Sequence, residues 1–106
     1  MSLIKKNISA SVDGRIVIPI DRSGLFSIWI EYKNLTGTLD CVFDVEVTNS
    51  NPAPADGVPL PQLQSVISDA NGQRFLYTDH PIKGEFLILK FIPNGVSGGT
   101  YDVVAK

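Results

Sequence analysis

Between Phe26 and Thr48 apolar and polar residues alternate with a period of two, and this restricts the fold more than any other stretch of the chain. Phe26, Ile28, Ile30 and Tyr32 fall on one side, and Ser27, Trp29, Glu31 and Lys33 on the other. Leu39, Cys41, Phe43, Val45 and Val47 then repeat the pattern against Asp40, Val42, Asp44, Glu46 and Thr48. Successive side chains of a strand point to opposite faces of a sheet, whereas a helix would scatter this pattern around its axis. Residues 24–49 therefore predict two strands, each with one buried and one wet face, joined as a hairpin at Thr36-Gly37.

The rest of the chain reads in the same way. Residues 4–12 predict a first strand with Ile4, Lys6, Ile8, Ala10 and Val12 on one side. Asp13-Gly14 predicts a tight turn into a second strand over residues 15–20, where Ile16, Ile18 and Ile20 face inward. Pro19 faces out and cannot donate a ladder hydrogen bond, which predicts an edge position or a bulge. A fifth strand is predicted at 63–68. Asn71-Gly72, a dipeptide suited to a type I′ hairpin, leads to a sixth at 73–78 with Phe75 and Tyr77. Residues 84–93 are almost continuously apolar, as in a central strand buried on both faces. Asn94-Gly95 and Gly98-Gly99 bracket a further turn, and 100–106 predict the last strand. The reading is a single domain over residues 1–106: an all-β antiparallel sandwich of about eight strands, jelly-roll-like.

Composition narrows the function classes. The net charge is −2 and no basic block exceeds Lys5-Lys6, which predicts no nucleic-acid partner. No apolar run reaches the length of a membrane span, so no membrane partner is expected. The first residues lack the apolar segment of a secretory leader, which predicts synthesis and assembly in the cytoplasm. The single cysteine, Cys41, falls on the apolar side of its strand and reads as a small buried hydrophobe. The single histidine, His80, sits beside Pro81 and reads as a loop residue. With no nucleophile–base pairing, no phosphate-cradling glycine motif and no metal-spaced ligand set, the expectation is a protein that is not an enzyme and takes no cofactor or metal. Asp40, Asp44 and Glu46 share an outward face and read as a solvated charged surface rather than a calcium site.

Two features read as contact surface. Trp29 lies on the wet side of its strand, and Val42 is predicted on the same outward side of the next. An aromatic there is covered by a loop, anchors a partner, or stacks on a sugar. Residues 49–61 carry Pro52, Pro54, Pro59 and Pro61 with no periodicity. This predicts a stiff loop, either a plain crossover between sheets or a contact element presenting Pro52, Pro54, Val58, Pro59, Leu60 and Pro61.

Some of these elements occur in a recognisable order. Ile-Pro-Ile-Asp-Arg-Ser-Gly (18–24) is followed by Phe26-Ser27-Ile28, Leu35-Thr36-Gly37-Thr38-Leu39, and a strand ending Val47-Thr48-Asn49-Ser50-Asn51. After the late strand at 86–91 come Asn94-Gly95-Val96-Ser97-Gly98-Gly99-Thr100-Tyr101 and the closing Val103-Val104-Ala105-Lys106. From about Ile16 to Lys106 the chain resembles small β-sandwich accessory proteins of bacteriophage virions. Those proteins often carry Asn-Asp-Gly-Trp after the Ser-Asn strand, and here the proline-rich loop stands instead. The resemblance implies a non-enzymatic virion protein: a capsid decoration or auxiliary protein, or a head-fibre or tail component. The partners it implies are its own copies, for instance in a homotrimer, and other virion proteins such as the major capsid protein. A carbohydrate-binding module, with Trp29, Tyr32 or Tyr77 as the stacking platform, is the alternative.

Overall fold

The computed structural model describes residues 3–106; Met1 and Ser2, where the leader reading begins, lie outside the described residues. Among the described residues nine strands form two antiparallel sheets. They are β1 (Leu3–Ser9), β2 (Gly14–Pro19), β3 (Ser27–Gly37), β4 (Cys41–Thr48), β5 (Val58–Pro59), β6 (Ser65–Ile67), β7 (Gly72–Tyr77), β8 (Phe86–Ile92) and β9 (Val96–Ala105). The first sheet has the order β1-β9-β3-β7. The second has the order β2-β8-β4-β5, with β6 on the same free side of β4 as β5. A 3-10 turn at Pro61–Leu63 separates β5 from β6. The two short strands are therefore one edge strand interrupted by its prolines, which have no N–H to give the ladder. Counted that way there are eight strands, and the chain passes between the sheets at almost every connection, as in a jelly roll.

That topology corrects the predicted hairpins. β3 and β4 lie in different sheets, so the link after Thr36-Gly37 is a crossover, and Thr36 and Gly37 belong to β3 itself. The same holds for Asp13-Gly14 between β1 and β2, and for Asn71-Gly72 between β6 and β7. A type I′ turn needs positive φ at both central residues, and neither of these dipeptides has it. Their glycines serve a different purpose. A Cβ on Gly72 would stand 2.5 Å from the Tyr32 hydroxyl oxygen, and one on Gly14 would collide with that of Tyr101. Both glycines leave room for a core tyrosine to reach the end of the sandwich. Asn94 and Gly95 do have positive φ and form a tight turn closed by Val96 N–H to Pro93 O at 3.1 Å, yet this turn also changes sheet. It locks against the other crossover through Thr38 N–H to Gly95 O at 3.1 Å. Gly98-Gly99 lies inside β9 rather than in a turn.

The remaining differences are local. β1 ends at Ser9, and a bulge between Lys5 and Ile8, with Asn7 at φ 55°, shifts its register. Ile8 and Ala10 still face the core, but Ile4 is turned out beside Val104 and Val12 is exposed. The loop expected at 49–61 contains β5, paired with β4.

The alternation itself holds. Phe26, Ile28, Ile30, Tyr32, Cys41, Phe43 and Val45 are buried in one cluster between the sheets, together with Ile16, Ile18, Leu87, Leu89, Tyr101 and Val103. At its centre Phe43 and Phe91 of the second sheet meet Tyr101 of the first, with ring centroids 4.8 to 5.2 Å apart. Each fully buried side chain of this size contributes about 1.5–3 kcal/mol relative to exposure. Tyr32 donates its hydroxyl to Asp69 Oδ1 at 2.6 Å at the rim. Burial first, and this bond second, push its pKa up to about 12. Cys41 is fully buried and burial raises its thiol pKa, so the thiol is shielded from reagents. β8 is central, as its apolar run predicts.

Candidate functional site

The outer face of the first sheet carries a row of apolar side chains that crosses all its strands. The register pairs Ile4 with Val104, Val104 with Trp29, and Trp29 with Phe75. Ile4, Trp29 and Phe75 are 57%, 43% and 51% exposed, so no loop covers them. Tyr77, two residues beyond Phe75 and 60% exposed, extends the row along β7. Trp29 meets Phe75 edge-on at 5.6 Å, and Phe75 meets Tyr77 at 5.3 Å. Strand alternation is the cause, because β3 and β7 turn Ile28, Ile30 and Leu76 into the core and must turn Trp29, Phe75 and Tyr77 out. A shallow cleft of about 280 Å³ opens between Ser27, Trp29, Phe75, Val104 and Lys106. On the neighbouring rung the surface becomes charged, with Glu31 opposite Asp102 and Lys33 within 4 Å of both carboxylates. An apolar centre with a charged rim is the usual make-up of a protein contact.

The second sheet turns a different outer face to solvent. Arg15, Glu46 and Lys90 project from β2, β4 and β8 and hold the loop across it. Arg15 donates to the carbonyls of Ala53, Pro54 and Ala55. Lys90 pairs with Glu46 at 3.0 Å and with Asp56, and Gly57 N–H donates to Glu46 Oε1 at 2.8 Å. The ammonium group beside it holds the Asp56 carboxyl below the usual carboxylate range. Ile88 projects to this face between Val17 and Glu46 and has 0% exposure, although it stands outside the core between the sheets. The loop is a strap over it. Away from the strap, Val42 lies between Ile92 and Val66 in a shorter apolar row.

The predicted contact residues thus divide. Trp29 lies on one outer face and Val42 on the opposite one, because their strands belong to different sheets and not to one hairpin. Pro52, Pro54, Val58, Pro59 and Pro61 are exposed along the strap and the broken edge strand, while Leu60 packs partly against the core. Asp44 and Glu46 are engaged by Gln64, Lys90 and the Gly57 amide. Tyr32 is buried and cannot be a stacking platform. His80 is an exposed loop residue 3.5 Å from Asp79. Ile4, Val104 and Phe75 escaped the sequence reading as members of a surface. Their strands are far apart in the chain, and only the pairing order lines them up with Trp29. The outward phase of Phe75 and Tyr77 around the inward Leu76 was the available signal.

No protein-family model and no curated protein matches the chain. Among solved structures, the chain is similar to a protein of the disulfide-linked pili of Bacillus endospore appendages, at 10% identity and a TM-score of 0.47, covering 99% of this chain and 80% of that one. It is similar to dimeric latent PorU of Porphyromonas gingivalis at 11% identity and a TM-score of 0.47, covering 98% and 12%. A chain of infectious bursal disease virus, Gt strain, follows at 9% identity and a TM-score of 0.41, covering 99% and 29%. Likeness at this level transfers no function.

Proposed function

We propose that this protein is a non-enzymatic structural component of a bacteriophage virion, a capsid decoration or auxiliary protein or a head-fibre or tail component, that acts through protein–protein contacts. The observation that supports it is the exposed row Ile4–Val104–Trp29–Phe75 with Tyr77 beside it. A contiguous apolar patch with a charged rim marks an interaction surface, and Trp and Tyr are the residues most often dominant in one. Placement in a virion rests on the ordered turn and strand motifs of the sequence. The partners of this reading are the major capsid protein and copies of the chain itself, met in the host cytoplasm during assembly.

Co-sedimentation with purified capsid shells tests it. Trp29→Ala is expected to weaken shell binding by about tenfold or more, as for an interface anchor, with an unchanged circular dichroism spectrum. Equal binding by wild type, Trp29→Ala and Phe75→Ala sinks the proposal. A sugar-binding role is the second reading, favoured by the exposed Trp29, Phe75 and Tyr77 rings. Trp29 is the only tryptophan, so saturable quenching of its fluorescence by a glycan would establish that reading instead.

A further inference from the structure

The sandwich has four sheet edges, and three of them are blunted. β1 carries Lys5 and Lys6 and is kinked by the bulge at Asn7. β2 carries Pro19, and its Arg15 is bridged to the strap. The β5–β6 edge is broken by Pro59, Pro61 and the 3-10 turn. Lysine, proline, bulges and interruptions are the devices that stop one sheet from pairing with another. β7 has no proline, no lysine and no bulge.

Which groups β7 leaves open follows from the ladder phase. Thr78 N–H donates to Phe26 O at 3.1 Å, so residues 72, 74, 76 and 78 turn their main-chain groups toward β3. Consistently, Ser27 exchanges both main-chain bonds with Lys106 on the other side of β3. Gln73, Phe75 and Tyr77 therefore aim their N–H and C=O groups away from the sheet. Arg74, the one charged residue of β7, lies back over the Tyr32 ring toward Asp69 and donates to Gln73 O at 2.9 Å. Among the described residues nothing else bonds these groups. An open cleft of about 350 Å³ lies beside Phe75 and Tyr77, lined also by Gln62, Leu63, Leu76 and Asp79.

We infer that β7 pairs antiparallel with β7 of a second copy of this chain, joining two first sheets into one continuous sheet across a two-fold axis. Open main-chain groups in strand geometry are matched by another strand. A two-fold axis through Phe75 sets Phe75 against its copy and Gln73 against Tyr77, which uses all three residues and gives about six main-chain bonds, the Gln73 carbonyl accepting through the lone pair that Arg74 leaves free. It also places Arg74 opposite Leu76. Moving the axis to Arg74 would set two guanidinium groups face to face. The same axis joins the two outer rows end to end, with Phe75 beside Phe75 at the centre and Trp29 flanking on each side. The occupant is thus chosen by self-complementarity of both the main chain and the row. The inference rests on the reading of this protein as one that works through protein contacts, since it names one of those contacts.

Sedimentation of the full chain from low to high micromolar concentration, with hydrogen exchange at both ends of that range, tests the pairing. The expected result is a reversible monomer–dimer equilibrium in which the Phe75 and Tyr77 amides gain protection in the dimer. Gln73→Pro removes an open N–H without touching the β3 ladder, and Phe75→Lys places charge at the axis. Each is expected to raise the dimer Kd about tenfold or more with the fold retained. A monomer at every concentration, a dimer that both variants leave intact, or a dimer without protection of these amides overturns the inference. A variant that fails to fold leaves the wild-type exchange result to decide. A monomer that still binds shells through Trp29 overturns the pairing alone, and a dimer that binds no shell overturns the proposed function alone.

Discussion

The two outer faces of this sandwich are built from the same alternation and end in opposite states. On the first sheet the outward residues of the central rung are Ile4, Val104, Trp29 and Phe75, and they stay bare. On the second sheet Arg15 and Lys90 share one outward rung and Ile88 and Glu46 the next, and the proline-rich loop is bound down over them. The difference shows that polarity alone does not decide which outward residue is exposed. Ile88 and Ile4 are the same residue type on outward positions, one fully buried and the other more than half exposed. A loop long enough to return across one sheet, with two cations and a carboxylate to hold it, converts an outer face into a second, smaller interior. The face without such a loop keeps its apolar surface available.

The largest test of that comparison is Ile88→Asp. A carboxylate with no exposure and no cation assigned to it must be desolvated, so the substitution is expected to cost about 3 kcal/mol or more, read as a lower midpoint in urea. A loss under about 0.5 kcal/mol, the range of ordinary surface substitutions, would mean that the strap does not seal this face. Trp29→Ala is the counterpart on the bare face. It removes the edge-on contact with Phe75, at about 0.5–1.5 kcal/mol of stability, and its main effect falls on partner binding. If its stability loss rivals that of Ile88→Asp, the two faces are alike. Arg15→Ala releases three loop carbonyls on an exposed surface and is expected to cost about 1 kcal/mol or less. Its sign is local: faster amide exchange and proteolytic cleavage within residues 49–57, with β3, β7 and β9 unchanged. The smallest effect is acidic. The folded pKa of Asp56 lies below its ordinary value, so its tie to Lys90 is complete above about pH 4 and is lost as the pH falls through the folded value. Loop amide shifts in an NMR titration are expected to move there, and those around Trp29 are expected to stay.

These contrasts bear on how far the chain could be read in one dimension. The inward and outward phases of β3, β4, β8 and the end of β9 follow from period two, because alternation belongs to the strand backbone and needs no partner. Burial of Cys41 and the edge position of Pro19 followed for the same kind of reason. The phase was lost where bulges break the ladder: at Asn7 in β1, which sends Ile4 outward, and after Lys33 in β3, where Leu35 is buried out of step with Tyr32.

Pairing is another matter. Asp13-Gly14, Thr36-Gly37 and Asn71-Gly72 are compatible with a hairpin and with a crossover, and the choice depends on what the glycine must clear. At Gly14 and Gly72 that is the hydroxyl of a tyrosine held by the far sheet or by a distant strand. The strap was legible as a stiff loop, but its resting place depends on Arg15, Glu46 and Lys90, which come from three separate strands. The sequence by itself determined an all-β chain and most of its buried set, since both come from side-chain periodicity along one strand. The tertiary structure alone decided which strands are neighbours, which edge stays open, and that Trp29 shares its face with Ile4, Val104 and Phe75 rather than with Val42. Those are contacts between residues distant in sequence, set by how the two sheets close over a common core.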